Sequence, residues 1–183
     1  MEGSLKDMTV AILAVDGFEQ VELTGPRDAL QREGARTALI SARREPVQGM
    51  HHDRKADRFD VDLSFAEAQP AEFDAVLLPG GVVNADEIRM HPKAREFVRA
   101  MHEQGKPIAV ICHGPWLLVS ADLVRGRTLT SWPSLQDDLR NAGAHWVDQE
   151  VVVDGKLVSS RKPDDIPAFN REMLRVFQTA AAR

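Results

Sequence analysis

The sequence predicts an α/β fold in which helices cover both faces of a mostly parallel central sheet. Short apolar runs alternate along the chain with amphipathic stretches, and this alternation is typical of βαβ units. The apolar runs are continuous rather than alternating with polar residues, as expected of strands buried on both faces. A length of 183 residues with 43% hydrophobic residues fits one domain with a full core.

Four apolar runs are predicted to form the buried strands of this sheet. Each is short, rich in aliphatic or β-branched residues, and ends near Gly, Pro or Ser. They occupy residues 8–15, 35–42, 74–81 and 106–114.

Amphipathic segments between and after these strands are predicted to form helices. Residues 19–34 end in Gly34, a common helix stop, and residues 91–105 have Pro92 near their start and Gly105 at their end. A terminal helix follows an Asp- and Pro-rich start signal near residue 163.

Two segments depart from the alternation. Residues 47–65 are polar and are predicted to form an antiparallel excursion, and residues 145–160 are predicted to form a hairpin around Asp154-Gly155. We find no repeat or linker, and therefore expect one domain over residues 1–183, with residues 1–7 as a flexible N-terminus.

Charge and composition exclude several classes of function. A net charge of −5 and a pI near 5.7 give no basic surface for nucleic acid or an anionic membrane. We see neither a membrane-spanning run nor a targeting segment. Because one cysteine cannot form an intramolecular disulfide, we expect a cytoplasmic protein.

The only cysteine, Cys112, lies where a predicted strand meets a predicted helix. Backbone N–H groups and the positive end of a helix dipole at that point favour a thiolate. Gly80 and Gly81 end the preceding strand and would let the backbone approach a ligand closely. From these residues alone, Cys112 is either a nucleophile or a small buried hydrophobic residue.

Four stretches together resemble the PfpI-type branch of the ThiJ/PfpI superfamily, which also contains the protein deglycases. They are VDGFEQVEL, DAVLLPGG, AVICHGPWLLVSADLVRGRTLTS and NAGAHWVDQEVVVDGKLVSSRKPDDIPAF. The resemblance runs from about Met8 to the terminal helix. It implies a flavodoxin-like three-layer sandwich with a nucleophile-elbow cysteine.

The resemblance also implies roles for particular residues. Cys112 matches the family nucleophile and His113 matches its histidine base. Glu19 matches a glutamate expected to lie, protonated, against the cysteine sulfur. Asp86 matches the acid that PfpI-type members supply across a subunit interface, with Glu87 as the alternative, and this arrangement requires a homodimer or a larger homo-oligomer.

Further candidates surround this predicted site. Gly80 and Gly81 would contribute an oxyanion hole together with the N–H of His113, and Trp116 would line the substrate pocket. His51 and His52 have no companion pair at metal-ligand spacing, so we expect no metal and no cofactor.

Three functions fit this set of residues. The first is a stress-response cysteine hydrolase acting on methylglyoxal adducts of proteins or nucleotides, as a deglycase or glyoxalase-type enzyme. The second is an intracellular cysteine peptidase. The third belongs to another class: a redox sensor or chaperone that works through oxidation of Cys112.

Overall fold

A computed structural model describes residues 3–182, and its centre is a seven-stranded sheet. The strands are β1 Thr9–Leu13, β2 Phe18–Glu19, β3 Arg36–Ser41, β4 Val47–His51, β5 Arg54–Phe59, β6 Leu63–Ser64, β7 Ala75–Leu78, β8 Ile108–Ile111, β9 Thr128–Leu129, β10 His145–Trp146, β11 Val152–Asp154 and β12 Leu157–Ser160. The α-helices are α1 Gln20–Arg32, α2 Val82–Ile88, α3 Pro92–Glu103, α4 Pro115–Ser120, α5 Gln136–Asn141 and α6 Ile166–Ala181. Single 3₁₀ turns occupy Pro70–Glu72, Pro133–Leu135 and Pro163–Asp165.

The main sheet has the strand order β11-β12-β8-β7-β1-β3-β6. Every neighbouring pair is parallel except β11 with β12. The chain order of the strands reverses at β1, which lies between β3 and β7. Ile12 of β1 pairs with Leu39 of β3 and with Leu77 of β7. The α/β class predicted from the alternating apolar runs is therefore confirmed. Loops at the carboxyl ends of these strands share one edge, where open α/β sheets bind ligands.

Two apolar cores lie on opposite faces of the sheet, because successive strand residues point to opposite sides. One face packs Leu13, Val76 and Val110 against α3 and α4, and the other packs Ile12, Leu77 and Ile111 among residues of α1 and α6. This two-sided burial explains why the strands read as continuous apolar runs.

Residues 47–65 form the predicted antiparallel excursion only in part. Strands β4 and β5 pair antiparallel and join β2 in a separate three-stranded sheet. Strand β6, however, adds to the edge of the main sheet, parallel to β3. The Asp62 carboxylate fixes it there by accepting the N–H of Leu39 at 2.7 Å.

The hairpin predicted over residues 145–160 is also shorter than expected. Strands β11 and β12 do turn around Asp154 and Gly155, but β10 pairs parallel with β9 instead. Trp146 is buried there, and its indole N–H donates to Ser131 Oγ at 2.9 Å, which holds β10 away from the hairpin.

The N-terminal segment packs on the domain from Leu5 onward. Leu5 is buried, and its N–H donates to the carbonyl of Glu33 at 2.8 Å. Of the seven residues expected to be flexible, the first two lie outside the described residues. Within residues 3–182, no helix combines the length and apolar character needed to cross a membrane.

Candidate active site

Cys112 follows β8 directly and adopts a left-handed backbone conformation with φ of 64°. This region is unfavourable for a residue other than glycine, so the surroundings must enforce it. Two hydrogen bonds do so: the Cys112 N–H donates to the carbonyl of Ser160 at 3.0 Å, and the Cys112 carbonyl accepts the N–H of Trp132 at 2.9 Å. The result is a strand-to-helix elbow with the side chain at its tip.

Two glycines make room for this elbow. A Cβ on Gly114 would lie 2.7 Å from Val110 Cγ2, and a Cβ on Gly80 would lie 2.6 Å from the Cβ of Cys112. Real Cβ atoms do not approach neighbours so closely, so any side chain at these positions would displace the elbow. The elbow is therefore permitted by Gly114, two residues after the cysteine, although Val110 occupies the position two residues before it.

His113 lies beside the thiol although the two residues are adjacent in sequence. The distance from Cys112 Sγ to His113 Nδ1 is 3.2 Å. Burial lowers the pKa of His113 to about 4, so its imidazole is neutral near pH 7 and has a nitrogen free to accept the thiol proton. The structure thus brings together the two residues matched to the family's nucleophile and base.

Two tryptophans border the His113 ring. Trp116 meets it edge-on with centroids 5.3 Å apart, while its indole N–H donates to Asp138 at 3.0 Å. Trp132 stacks on the other side at 5.8 Å and is 38% exposed. Trp116 and Trp132 therefore form two aromatic walls beside His113.

Glu22, and not Glu19, provides the carboxyl group against Cys112. Glu22 is fully buried, and its Oε1 accepts the N–H of Gly80 at 3.1 Å. Glu19 precedes α1 and its carboxylate instead accepts the N–H of His52. The reason is helix phase: Glu22 lies in the first turn, on the face of α1 that also buries Leu23 and packs toward the sheet.

The sequence contained a signal for Glu22. The buried residues of α1 are Glu22, Leu23, Pro26, Ala29 and Leu30, and they follow the spacing of one helix face. An acid on an otherwise apolar stripe is rarely buried without a function or a partner. The motif match drew attention to Glu19, and the helical periodicity would have favoured Glu22.

The elbow alone predicted a thiolate, which means a lowered pKa for Cys112. The surroundings of the sulfur in the fold instead raise that pKa. Burial and the neighbouring Glu22 carboxylate raise the pKa of Cys112, which is 6% exposed. The backbone N–H groups of Gly81 and His113 lower that pKa by hydrogen bonding to the sulfur, but they do not outweigh burial. Helix α4 has only six residues, so its dipole contributes little.

Glu22 and Cys112 behave as one titrating pair. Burial, followed by the charge of Glu19, raises the pKa of Glu22 to about 8. Glu22 Oε2 is buried and has no hydrogen-bond partner within residues 3–182, so no donor stabilises a negative charge on that oxygen. Because two negative charges cannot lie side by side without large cost, the two groups do not ionise together, and near pH 7 the raised pKa values keep both the Glu22 carboxyl and the Cys112 thiol protonated.

Asp86 and Glu87 lie on the exposed face of α2, the helix that begins after Gly81. Among the described residues 3–182, none forms a hydrogen bond or ion pair with either side-chain carboxylate. Neither acid therefore reaches His113 within one chain. The neighbouring apolar side chains of Val82, Val83 and Met90 are also exposed.

The mostly parallel α/β sheet and the strained cysteine elbow at its carboxyl edge define the class: an α/β protein with a candidate nucleophile at a strand-to-helix turn. Residues 8–176 match the DJ-1/PfpI family, and the chain belongs to that family. The resemblance inferred from the four sequence stretches is thereby confirmed.

Several named relatives match this chain over nearly their whole length. The protein named Deglycase PfpI of Pyrococcus furiosus is 42% identical over 171 residues, which cover 93% of this chain and 100% of the relative. Protein/nucleic acid deglycase 2 of Escherichia coli is 45% identical over 169 residues, covering 91% and 96%. The crystal structure of Drosophila melanogaster DJ-1beta has a TM-score of 0.81 at 27% identity, with 96% of each chain covered.

Proposed function

We propose that this chain is a cysteine-dependent deglycase acting on methylglyoxal adducts of amines, in proteins or nucleotides. The observation that carries the proposal is the contact of Cys112 Sγ with His113 Nδ1 at 3.2 Å, on an elbow whose backbone strain is held by two hydrogen bonds. Relatives at 42% and 45% identity bear the name deglycase, which supports this chemistry.

The site favours a small carbonyl adduct over a peptide. Cys112 is only 6% exposed, so its sulfur accepts a compact electrophilic carbon more readily than an extended backbone. Attack on such a carbon also avoids expelling an amine from an unstrained amide. A peptidase would need a groove that brings a peptide carbonyl to this recessed sulfur.

The proposed reaction uses only groups already described. Cys112 Sγ bonds to the carbon that carries the amine nitrogen and a hydroxyl group, the thiol proton passes through His113 Nδ1 to the nitrogen, and the C–N bond breaks. The hemithioacetal isomerises to a thioester of lactate: the carbon-bound proton moves from this carbon to the adjacent carbonyl carbon, and the hydroxyl proton moves to the oxygen of that carbonyl. Water then cleaves the thioester, which releases lactate and restores the thiol.

Backbone and carboxyl groups stabilise the charges formed in these steps. The N–H groups of Gly81 and His113 already point at the sulfur and would donate to the oxygen that becomes negative. Gly80 keeps this loop close to Cys112. Protonated Glu22 carries no negative charge, so the thiolate that forms when His113 accepts the thiol proton has no like charge beside it.

We further propose that a second copy of the chain completes the site. Asp86 is exposed and unpaired with other residues of 3–182, on a helix whose neighbouring Val82, Val83 and Met90 are exposed apolar side chains. Covering this surface with another subunit would bury the apolar groups and supply an acid to the partner's histidine. We place the assembly in the cytoplasm, where a lone thiol stays reduced.

Turnover by wild type and Cys112→Ser tests the proposal, with a methylglyoxal-treated peptide and unmodified casein as substrates. Wild type should release free amine and lactate from the treated peptide, and the variant should lose at least about a thousandfold in rate. Cleavage of casein without deglycation would favour a peptidase. No turnover of either substrate, with the intact mass rising by two oxygens under mild peroxide, would favour a redox sensor.

A further inference from the structure

The turn between β4 and β5 brings two histidines together with Glu19. Glu19, His51 and His52 each offer one ligand atom, and these atoms all lie within 4.8 Å of one another. The three residues come from two separate parts of the chain, since Glu19 ends β2 while His51 ends β4. Parallel pairing of β2 with β4, which aligns Glu19 with Met50, creates this juxtaposition.

The backbone of His52 is what places both imidazoles on the same side. Successive residues of a strand point to opposite faces, so two adjacent histidines would normally diverge. His52 instead adopts a left-handed φ of 57°, and the two rings lie with centroids 4.9 Å apart. Both side chains are accessible, as a site filled from solvent requires.

Glu19 is a buried carboxylate with few partners. It is 8% exposed, and within residues 3–182 its only hydrogen-bond donor is the N–H of His52, shared between the two oxygens at 3.3 and 3.2 Å. The nearest imidazole nitrogen, His52 Nδ1, is 3.9 Å from Oε1, beyond hydrogen-bond distance. A buried carboxyl group held this loosely is well placed to bind a cation.

We propose that Glu19, His51 and His52 form a binding site for a divalent transition-metal ion such as Zn²⁺. Two imidazoles and one carboxylate are a donor set that suits zinc and its neighbours rather than Mg²⁺ or Ca²⁺. Ligand atoms around a tetrahedral zinc lie about 3.4 Å apart, given bond lengths of about 2.0–2.1 Å. The three atoms lie within 4.8 Å of one another, so forming the site would require the two exposed histidine side chains to rotate until that spacing is reached.

The site has a defined place beside the candidate active site. The Glu19 N–H donates to the carbonyl of Gly80 at 3.3 Å, so one bound ion would tie the β4–β5 turn to the loop that contacts Cys112. Three protein ligands leave at least one coordination position for water or an added ligand. The sequence shows no companion pair at metal-ligand spacing near the histidines, because the third ligand comes from another strand.

Calorimetric titration of untagged Cys112→Ser protein with Zn²⁺ tests the proposal, since this background removes the thiol as a competing ligand. We expect one ion per chain, with affinity falling about tenfold or more in His51→Ala and in His52→Ala. His145→Ala, which removes an exposed histidine on β10, is the matched control and should bind like the background. Circular dichroism establishes that each variant is folded.

Co²⁺ provides a second readout that does not depend on turnover. Ligation by two imidazoles and a carboxylate gives d–d absorption bands, which should be lost in His51→Ala and retained in His145→Ala. Excess Mg²⁺ should not displace the Co²⁺. Saturable binding that is unchanged in both His51→Ala and His52→Ala, or the absence of saturable binding, would overturn the proposal.

Discussion

Replacing Glu22 by glutamine tests whether this buried carboxyl group is protonated beside Cys112. Burial raises the pKa of Glu22 from 4.5 to about 8. Well below pH 4.5 the group is protonated in both the folded and unfolded chains, so it does not change the free energy of unfolding. As the pH rises toward 8, the unfolded chain ionises while the folded chain does not, so the folded state loses stability across that interval.

The size of this effect follows from the same pKa difference. A shift of about 3.5 pH units corresponds to about 5 kcal/mol once the pH exceeds 8, and to about 3 kcal/mol at pH 7. Glutamine has almost the same shape, and it keeps an oxygen for the Gly80 N–H and an N–H₂ group for the sulfur. The free energy of unfolding of Glu22→Gln relative to wild type should therefore increase by about 4 kcal/mol between pH 4.5 and pH 8.

Urea unfolding of reduced protein, at fixed protein concentration and several pH values, measures this difference. Glu103→Gln removes a carboxylate from the exposed end of α3 and is the matched control. Its difference from wild type should change far less with pH than that of Glu22→Gln. A difference between Glu22→Gln and wild type that stays constant from pH 4.5 to pH 8 would refute the reasoning.

Three further predictions concern the elbow and its partners. Gly80→Ala should abolish deglycation and slow iodoacetamide alkylation of Cys112, because its Cβ would lie 2.6 Å from that of Cys112; an unchanged alkylation rate would contradict this. In an NMR titration, the His113 imidazole should titrate near pH 4, assigned with a His113→Gln spectrum, whereas a midpoint near 6.5 would remove burial as the cause. Asp86→Asn should lower the rate of deglycation about 10- to 100-fold while Glu87→Gln leaves it unchanged, and the reverse pattern would assign the acid to Glu87.

Much of the fold could be predicted from the sequence because strands buried on both faces appear in it as continuous apolar runs. The runs around β1, β3, β7 and β8 were found for this reason, and α1 and α3 were found from their periodicity and terminal glycines. The two-residue strands β6 and β10 were not, because so short a segment carries no periodicity. Their positions depend on tertiary hydrogen bonds, such as that of Asp62 to Leu39.

Part of the candidate site could be predicted because some of its residues are brought together by their positions along the chain. Cys112 and His113 are adjacent, and the Gly80-Gly81 pair lies at the end of a neighbouring strand, so sequence position alone brings them together. Choosing between Glu19 and Glu22 required the rotational phase of α1. The direction of the Cys112 pKa required its burial, which outweighs the short helix that follows it.

The hydrogen bond from Cys112 to Ser160 has a consequence for the order in which the protein matures during synthesis. Ser160 ends β12, so the partner that holds the elbow emerges from the ribosome long after the cysteine itself. A nascent chain that stops before β12 carries the thiol without the contact that fixes its left-handed backbone. Assembly of the elbow geometry is therefore coupled to completion of the hairpin formed by β11 and β12.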